Sequence, residues 1–439
     1  MTMKWFLYNV LFTVAYCAMM PSFLLRMKRR GGYRARIGDR FARYPADVLD
    51  KFGKCRSSRL CVWIHAVSVG EVHVAGQLMR ALREIEPDVR FVFSTTSSTG
   101  WRTAEQVVTA DDALIYNPLD FPWLVRRALD QVRPQAIILT ETEIWPNFIR
   151  EAARRRLPIF LANARISDRS APRYKALRWF FGEVFRCFTK IYAQSDADAE
   201  RLVAAGADPS SIDVTGSFKF DVARRNPAKE AEMRAWIGGG RVLLGGSTWP
   251  GEDLALLRLY RSLPQDVRLV IAPRHFEKAD AVEANILSEG FRCIRRSRGD
   301  TDTLRGDAAP ADPSSGRAVY LADTTGELMG LFGIASAAFV GKSLCAHGSQ
   351  NMIEPCLCGV PTVVGPFTEN FRPVMSDLLA AGAIVQAGDE AGVRAALLSF
   401  FSDSDKERTR ALGERAEAAV CRRRGATGKC AKDIMSFLG

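Results

Sequence analysis

The sequence predicts an α/β protein of two doubly wound, parallel-sheet domains preceded by a transmembrane helix. Three observations lead there. A length of 439 residues exceeds what one ordinary core supports, so two domains are expected. Short apolar runs rich in β-branched residues alternate with helical stretches in two series, the pattern of parallel sheets covered on both faces. A charge-free stretch of bilayer-crossing length opens the chain.

That stretch, Trp5 to Leu25, has only Lys4 before it and the basic run RMKRRGGYRARIGDRFAR after it. The asymmetry predicts an uncleaved single-pass anchor with the following domains cytoplasmic. A cleaved signal peptide has the opposite charge order and a shorter apolar core. The first series of strands reads LCVWIHAV, RFVFSTT, ALIYNPL, QAIILTE, PIFLANAR and KIYAQS. A polar, Pro-containing stretch, Asp221 to Glu232, is the candidate linker. The second series reads RVLLGGST, VRLVIAPR, FRCIRR, AVYLAD, AAFVGK and PTVVGP. Ser297 to Arg317 breaks it and is expected to be a mobile loop. The resulting domains are 1–27 (anchor), 28–222 and 223–405 (two Rossmann-like domains facing a cleft) and 406–439 (a helical tail able to cross back to the first domain).

The net charge of +12 points to an anionic partner. No nucleic-acid motif accompanies it, so anionic lipid or a phosphorylated substrate is expected rather than nucleic acid. The ten cysteines form no C-x-x-C pattern and are expected to be free, mostly buried thiols of a reducing compartment. The four histidines lack metal-ligand spacing, so no metal site is expected.

Charged and small residues gather where strands stop, which is where open α/β sheets bind ligands. In SVGE, Ser68 to Glu71, a carboxylate stands at a helix start beside Gly70. It stabilises the first turn or does chemistry. In TETEIWPN, Glu141 is the better site candidate; Glu143 is expected to cap or to pair with an arginine, and Trp145 to line core or cleft. In the second domain, Ser247 and Thr248 end a strand. Arg274 of PRH pairs with a phosphate or forms a surface ion pair. In AHGSQNMIEP, Gly348 and Ser349 let a helix begin abruptly with backbone N–H groups free for phosphate. Asn351 and Glu354 share a face of that helix, where Glu354 either accepts from a vicinal diol or is solvated. The Walker pattern is absent. Arg165 and Arg169 of NARISDRS, with the basic run Arg26 to Arg43, form a plausible surface for a phosphorylated lipid.

Together with the anchor, the ordered motifs WIHAVSVGE, TETEIWPN, NARISDRS, QSDADAERL, GSFKFD, GGSTWPGED, PRHFE and GSQNMIEPCLCGVPTVVGP resemble the 3-deoxy-D-manno-octulosonic acid (Kdo) transferases of Gram-negative bacteria. The resemblance implies a GT-B fold, no metal or other cofactor, and inverting transfer of Kdo from CMP-Kdo to the lipid A precursor (lipid IVA) in lipopolysaccharide synthesis at the cytoplasmic face of the inner membrane. It implies that Glu71 is the general base, that Pro273, Arg274, Asn351 and Glu354 contact the donor nucleotide, and that Glu141 faces the active site. A helix N-terminus stabilises the Glu71 carboxylate and weakens it as a base, a loss that burial or Glu141 would offset. The sequence departs from the family pattern at Trp249 and Pro250, at Phe367 and Glu369, and at Gln350. A GT-B transferase using another nucleotide sugar on a membrane lipid is the alternative, and a scaffold on a degenerate transferase fold a more distant one.

Overall fold

A computed structural model describes residues 3–30, 34–300 and 316–439. It divides into two compact units, Met1–Val222 with Arg424–Gly439, and Ala223–Arg423. Within the expected mobile stretch Ser297–Arg317, residues 301–315 lie outside the described residues. Its two ends are pinned: the Ser297 amide donates to Asp323, and the buried Arg317 guanidinium donates to the carbonyls of Tyr260, Leu263, Pro264 and Val267.

The first unit holds β1 (Leu60–His65), β2 (Val89–Thr95), β3 (Ala113–Tyr116), β4 (Ala136–Thr140), β5 (Ile159–Ala164), β6 (Lys190–Ala193) and β7 (Ile212–Val214). They form a parallel sheet of order β3-β2-β1-β4-β5-β6-β7. All six residues of β1 are buried, as expected for the central strand of a sheet covered on both faces. The strand order reverses between β1 and β4, so the helices that follow them pack on opposite faces of the sheet, the arrangement that leaves a crevice at the strands' carboxyl ends. One face is covered by the helix Val69–Ile85 and by the chain's last helix, Ala426–Leu438, whose Cys430 and Ile434 join the core of Leu78, Leu82 and Phe160.

The second unit repeats the plan with β8 (Arg241–Thr248), β9 (Val267–Pro273), β10 (Arg292–Arg295), β11 (Ala318–Leu321), β12 (Ala337–Val340), β13 (Thr362–Val364) and β14 (Val385–Gln386), ordered β10-β11-β9-β8-β12-β13-β14 and parallel. Its order reverses at β8. Both series of expected strands form. The two additional strands, β7 and β14, are edge strands without an apolar run, the first broken by Asp213 and the second only two residues long.

Several expectations need correction. The linker is confined to residues 223–226, because helices Lys219–Val222 and Pro227–Ile237 occupy both sides of it; Asn226 caps the second through the Lys229 amide, overriding the polar composition. The tail 406–439 is not one segment. Helix Lys406–Arg423 belongs to the second unit, while the Asp221 carboxylate accepts from the Gly425 and Thr427 amides and ties the last helix to the first. Cys55 and Cys61 form a disulfide, where free thiols were expected. A C-x5-C spacing carries no motif, yet Cys55 ends a helix packed on the strand that contains Cys61. Of the other cysteines only Cys356 and Cys430 are buried; Cys17, Cys345 and Cys421 are exposed.

The first helix runs from Met3 to Arg30, and Met3–Met20 has a mean hydropathy of 1.2. Part of the expected docking surface behind it is used internally. Arg36 bonds Asp39 and the Leu114 carbonyl, and the buried Arg40 donates to the Thr96 carbonyl. These guanidiniums satisfy a carbonyl of the edge strand β3 and one just past β2, so of the described arginines in the run only Arg43 stays exposed.

Candidate active-site residues

In the first unit the carboxyl end of β1 runs into the loop His65–Ser68 and then the helix Val69–Ile85. Ser68 is its N-cap: the Glu71 amide donates to the Ser68 hydroxyl oxygen at 3.3 Å. In return the Ser68 hydroxyl donates to one Glu71 carboxylate oxygen at 2.7 Å, and the Val67 amide donates to the other at 3.0 Å. This is a capping-box variant, in which the carboxylate reaches the amide of the residue before the cap. The STTSSTG loop braces it: Ser97 donates to the Val67 carbonyl, and Gly100 packs so closely that a Cβ would stand 2.5 Å from that same oxygen. Glu71 is buried while Gly70 is exposed. The helix-stabilising role considered for Glu71 is therefore realised in its geometry.

The carboxyl end of β4 supplies two more carboxylates beside it. Glu141 adopts φ 51°, a region sparsely used by residues other than glycine. Burial raises its pKa, and Glu71 and Asp198 push the same way, while Lys219 and Arg165 oppose them. Lys219 is lowered by burial, with Glu141 and Glu71 acting to restore its charge. Arg165 is thus brought to the carboxylates, whereas Arg169 is exposed. Among the described residues Glu143 has no arginine partner of the kind expected. Its carboxylate accepts from Trp145 Nε1 at 3.1 Å, and His65 Nε2 lies 3.9 Å away. Burial, then the charges of Glu71 and Glu141, push Glu143 up to about 7. His65 is wholly buried, held through Nδ1 by Ser94, and pushed down to about 4. Sequence reasoning missed Glu143, His65 and Lys219 as members of this cluster. Each stood in a quoted motif, but nothing in a motif says which neighbouring side chain turns inward.

In the second unit Ser247, Pro273 and Arg274 line a cavity of about 350 Å³ together with His275, Thr324 and Gly326. Thr324 to Gly326, which follow β11, were not anticipated; their signal was the same small, polar composition at a strand end. Thr248 is buried and its carbonyl accepts from the Arg274 amide, so it holds the arginine's backbone rather than lining the cavity.

The segment after β12 departs from expectation. Helix Ile353–Leu357 is five residues long and begins after Asn351 rather than at the glycine. Gly348 and Ser349 have φ 116° and 60°, and the amides of Ser349 and Gln350 already donate to the carbonyls of Lys342 and Gly341. Those two N–H groups are therefore not free for phosphate, because the loop folds back on its own strand end. Asn351 donates to Glu354 at 3.0 Å, and burial raises the Glu354 pKa. None of these four residues lines the cavity that holds Arg274.

One further residue organises these loops. Glu252 is fully buried and its carboxylate accepts from the amides of Trp249, Lys342, Ser343 and Leu344 at 2.8 to 3.1 Å. The family departures lie on the same loops. The Trp249 ring meets His275 edge-on with Lys342 Nζ 5.0 Å from its centre, and Phe367 and Glu369 both contact His347.

Residues 35–222 match the family described as 3-deoxy-D-manno-octulosonic-acid transferase (Kdo transferase). The 3-deoxy-D-manno-octulosonic acid transferase of Bordetella pertussis is 32% identical over 435 residues, covering 94% of this chain and 95% of that protein. That of Haemophilus influenzae is 32% identical over 374 residues, covering 83% and 84%. Among solved structures, Anabaena HepE in complex with UDP aligns with a TM-score of 0.56 at 12% identity, covering 86% of this chain and 100% of that one. The UDP-GlcNAc 2-epimerase of Neisseria meningitidis gives the same score and identity over 86% and 99%; at such identity the likeness concerns the fold. Two parallel-sheet α/β units of this kind, in a chain with transferase relatives, define a glycosyltransferase of the GT-B type. The chain belongs to the Kdo transferase family.

Proposed function

We propose that the protein transfers Kdo from CMP-Kdo to a lipid A precursor of the lipid IVA kind, in lipopolysaccharide synthesis at the cytoplasmic face of the inner membrane, with inversion at the anomeric carbon and Glu71 as general base. The observation that carries the assignment of the base is the carboxylate cluster at the β1–β4 crevice. Glu71 sits there ion-paired to no cation within salt-bridge distance among the described residues, beside two carboxyl groups whose pKa values are raised.

In the proposed reaction an acceptor hydroxyl oxygen attacks the anomeric carbon as the bond from that carbon to the CMP phosphate breaks. The hydroxyl proton passes to the Glu71 carboxylate, and CMP departs with the bonding electrons. Arg274 stabilises the charge growing on the leaving phosphate. Asn351 and Glu354 contact the nucleotide, and Ser247, Thr248, Pro273, Gly348 and Ser349 shape the donor side. Ser68, Gly70, Glu141, Arg165 and Arg169 serve the acceptor side, whose phosphates the arginines attract. The N-terminal helix, with anionic lipid at its basic end, holds the protein at the membrane. No metal or other cofactor enters the proposal.

Purified protein incubated with CMP-Kdo and a tetraacylated lipid A precursor should yield acceptor heavier by one or more Kdo residues, read by mass spectrometry. CMP should compete with the donor better than UDP. Absence of transfer overturns the reaction, and stronger competition by UDP overturns the donor.

A further inference from the structure

The first helix was read from composition as a bilayer span, but its contacts point elsewhere. One face is built to meet the first unit. The Trp5 indole is buried and donates to Glu183, which Lys4 also pairs at 2.7 Å. The Tyr8 hydroxyl donates to Asp120 at 2.8 Å, Asn147 donates to Asn9 at 2.8 Å, and Phe12 and Tyr16 pack on Phe121. Residues 5, 8, 9, 12 and 16 recur at helical spacing and form one stripe. Every polar group named on that stripe is satisfied by the folded unit rather than by another membrane helix.

The chain also returns to the same unit almost at once. The helix ends at Arg30, and by Arg36 and Arg40 the side chains bond carbonyls at Leu114 and Thr96, beside the ends of β3 and β2. A helix of 28 residues is roughly 42 Å long at 1.5 Å per residue, enough to cross a hydrocarbon core of about 30 Å. A rod held along its first half, and by the chain just past its end, on one folded unit crosses a bilayer only if the unit enters it as well. That unit exposes Asp47, Lys54 and Arg56 on the helix that follows, and exposed charges of this kind are expelled from hydrocarbon.

The outer face remains. Phe6, Leu7, Val10, Leu11 and Val14 are each 42 to 62% exposed, and Trp5 to Leu25 contains no charge. Trp179 stands beside Lys4, and Trp123 stacks on Phe121, which the helix touches; both tryptophans are exposed. Exposed indoles flanking an apolar helix face, with Arg26, Lys28, Arg29 and Arg30 at its far end, match the depth profile of a helix lying in the headgroup–acyl boundary of an anionic leaflet.

We infer that this helix is an in-plane anchor inserted into one leaflet and docked on the first unit, so that its N-terminus stays on the same side of the membrane as the catalytic units. The inference rests on the membrane location proposed above and replaces the single-pass topology. The test uses the full-length chain carrying Met3→Cys, expressed in a Gram-negative host, with spheroplasts exposed to a membrane-impermeant maleimide before and after permeabilisation. Labelling of the N-terminal peptide is read by mass, and the membrane and soluble fractions are assayed for Kdo transfer. Protein in the membrane fraction, with residue 3 protected in intact spheroplasts and labelled after permeabilisation, supports the in-plane helix. Labelling of residue 3 in intact spheroplasts overturns it and restores the span, leaving the reaction untouched. A soluble, transfer-competent protein overturns the anchor alone. Membrane-bound, protected protein without transfer upholds the anchor and counts against the reaction.

Discussion

Ser68 and Glu71 hold each other: the serine hydroxyl donates to the glutamate carboxylate at 2.7 Å, and the glutamate amide donates to the serine oxygen at 3.3 Å. A helix cap and a proposed general base are therefore one structure. The cap keeps the carboxylate in a fixed rotamer, held by the Ser68 hydroxyl and the Val67 amide.

The two roles separate by mutation. Glu71→Gln keeps an acceptor oxygen for the Val67 amide, so it should melt within about 3 °C of wild type, the scale of a ~1 kcal/mol change in a unit of this size. It should lose about 10²- to 10⁴-fold in turnover, the usual contribution of a general base. Ser68→Ala should do the reverse, costing about 1 kcal/mol of stability with a smaller loss of rate. Thermal melts and single-turnover rates on both variants check this, and near-normal turnover by Glu71→Gln removes it from the mechanism.

Glu143 should make the protein less stable as pH rises. Its carboxyl is pushed up to about 7 in the fold against an ordinary value near 4.5. Between those values the folded state therefore holds a proton that the unfolded chain has released. By linkage its contribution to stability is full below about pH 4.5 and is lost as pH approaches 7. His65, pushed down to about 4, acts in the opposite sense, losing stability as pH falls from its ordinary 6.5 towards 4. Subtracting the melting curves of Glu143→Gln from those of wild type between pH 4.5 and 7.5 isolates the first effect. The difference should grow steadily with pH, and a flat difference would show that Glu143 titrates normally.

Glu252→Gln should be costly although it is nearly isosteric. Both carboxylate oxygens accept amide hydrogens, one from Trp249 and Lys342, the other from Ser343 and Leu344. Either orientation of the new amide sets a donor against two donors in a buried site, and each buried donor left unpaired costs about 1–3 kcal/mol. Chemical denaturation should show a loss of at least ~2 kcal/mol in the second unit. Donor affinity should fall as well, since the same loops carry Trp249 and Gly348.

Arg274→Ala should raise the donor KM about tenfold or more while leaving the melting temperature unchanged, because no ion pair among the described residues depends on that guanidinium. Steady-state kinetics with CMP-Kdo varied at fixed acceptor reads this directly. An unchanged donor KM would show that the Ser247–Pro273–Arg274 cavity does not receive the donor phosphate.

Twelve of the fourteen strands were legible as apolar runs because a strand buried on both faces must be apolar throughout its length. The edge strands β7 and β14 were not, since Asp213 interrupts the first and the second is two residues long. Strand-end positions such as Glu71, Glu141 and Arg274 were legible for the same reason: polar residues stand out where an apolar run stops. What the sequence by itself determined is thus the two parallel-sheet units, the long apolar N-terminal helix, and the family through its ordered motifs. Tertiary structure alone decided which side chains meet. It brought Glu143 to Glu71 and His65 to Glu143, gave Glu252 its buried amides, and closed the 348–350 loop on its own strand end. It joined Cys55 to Cys61, carried the last helix back to the first unit, and laid the first helix against it. Each depends on contacts between residues far apart in sequence or on the course of a loop, and local pattern carries no information about either.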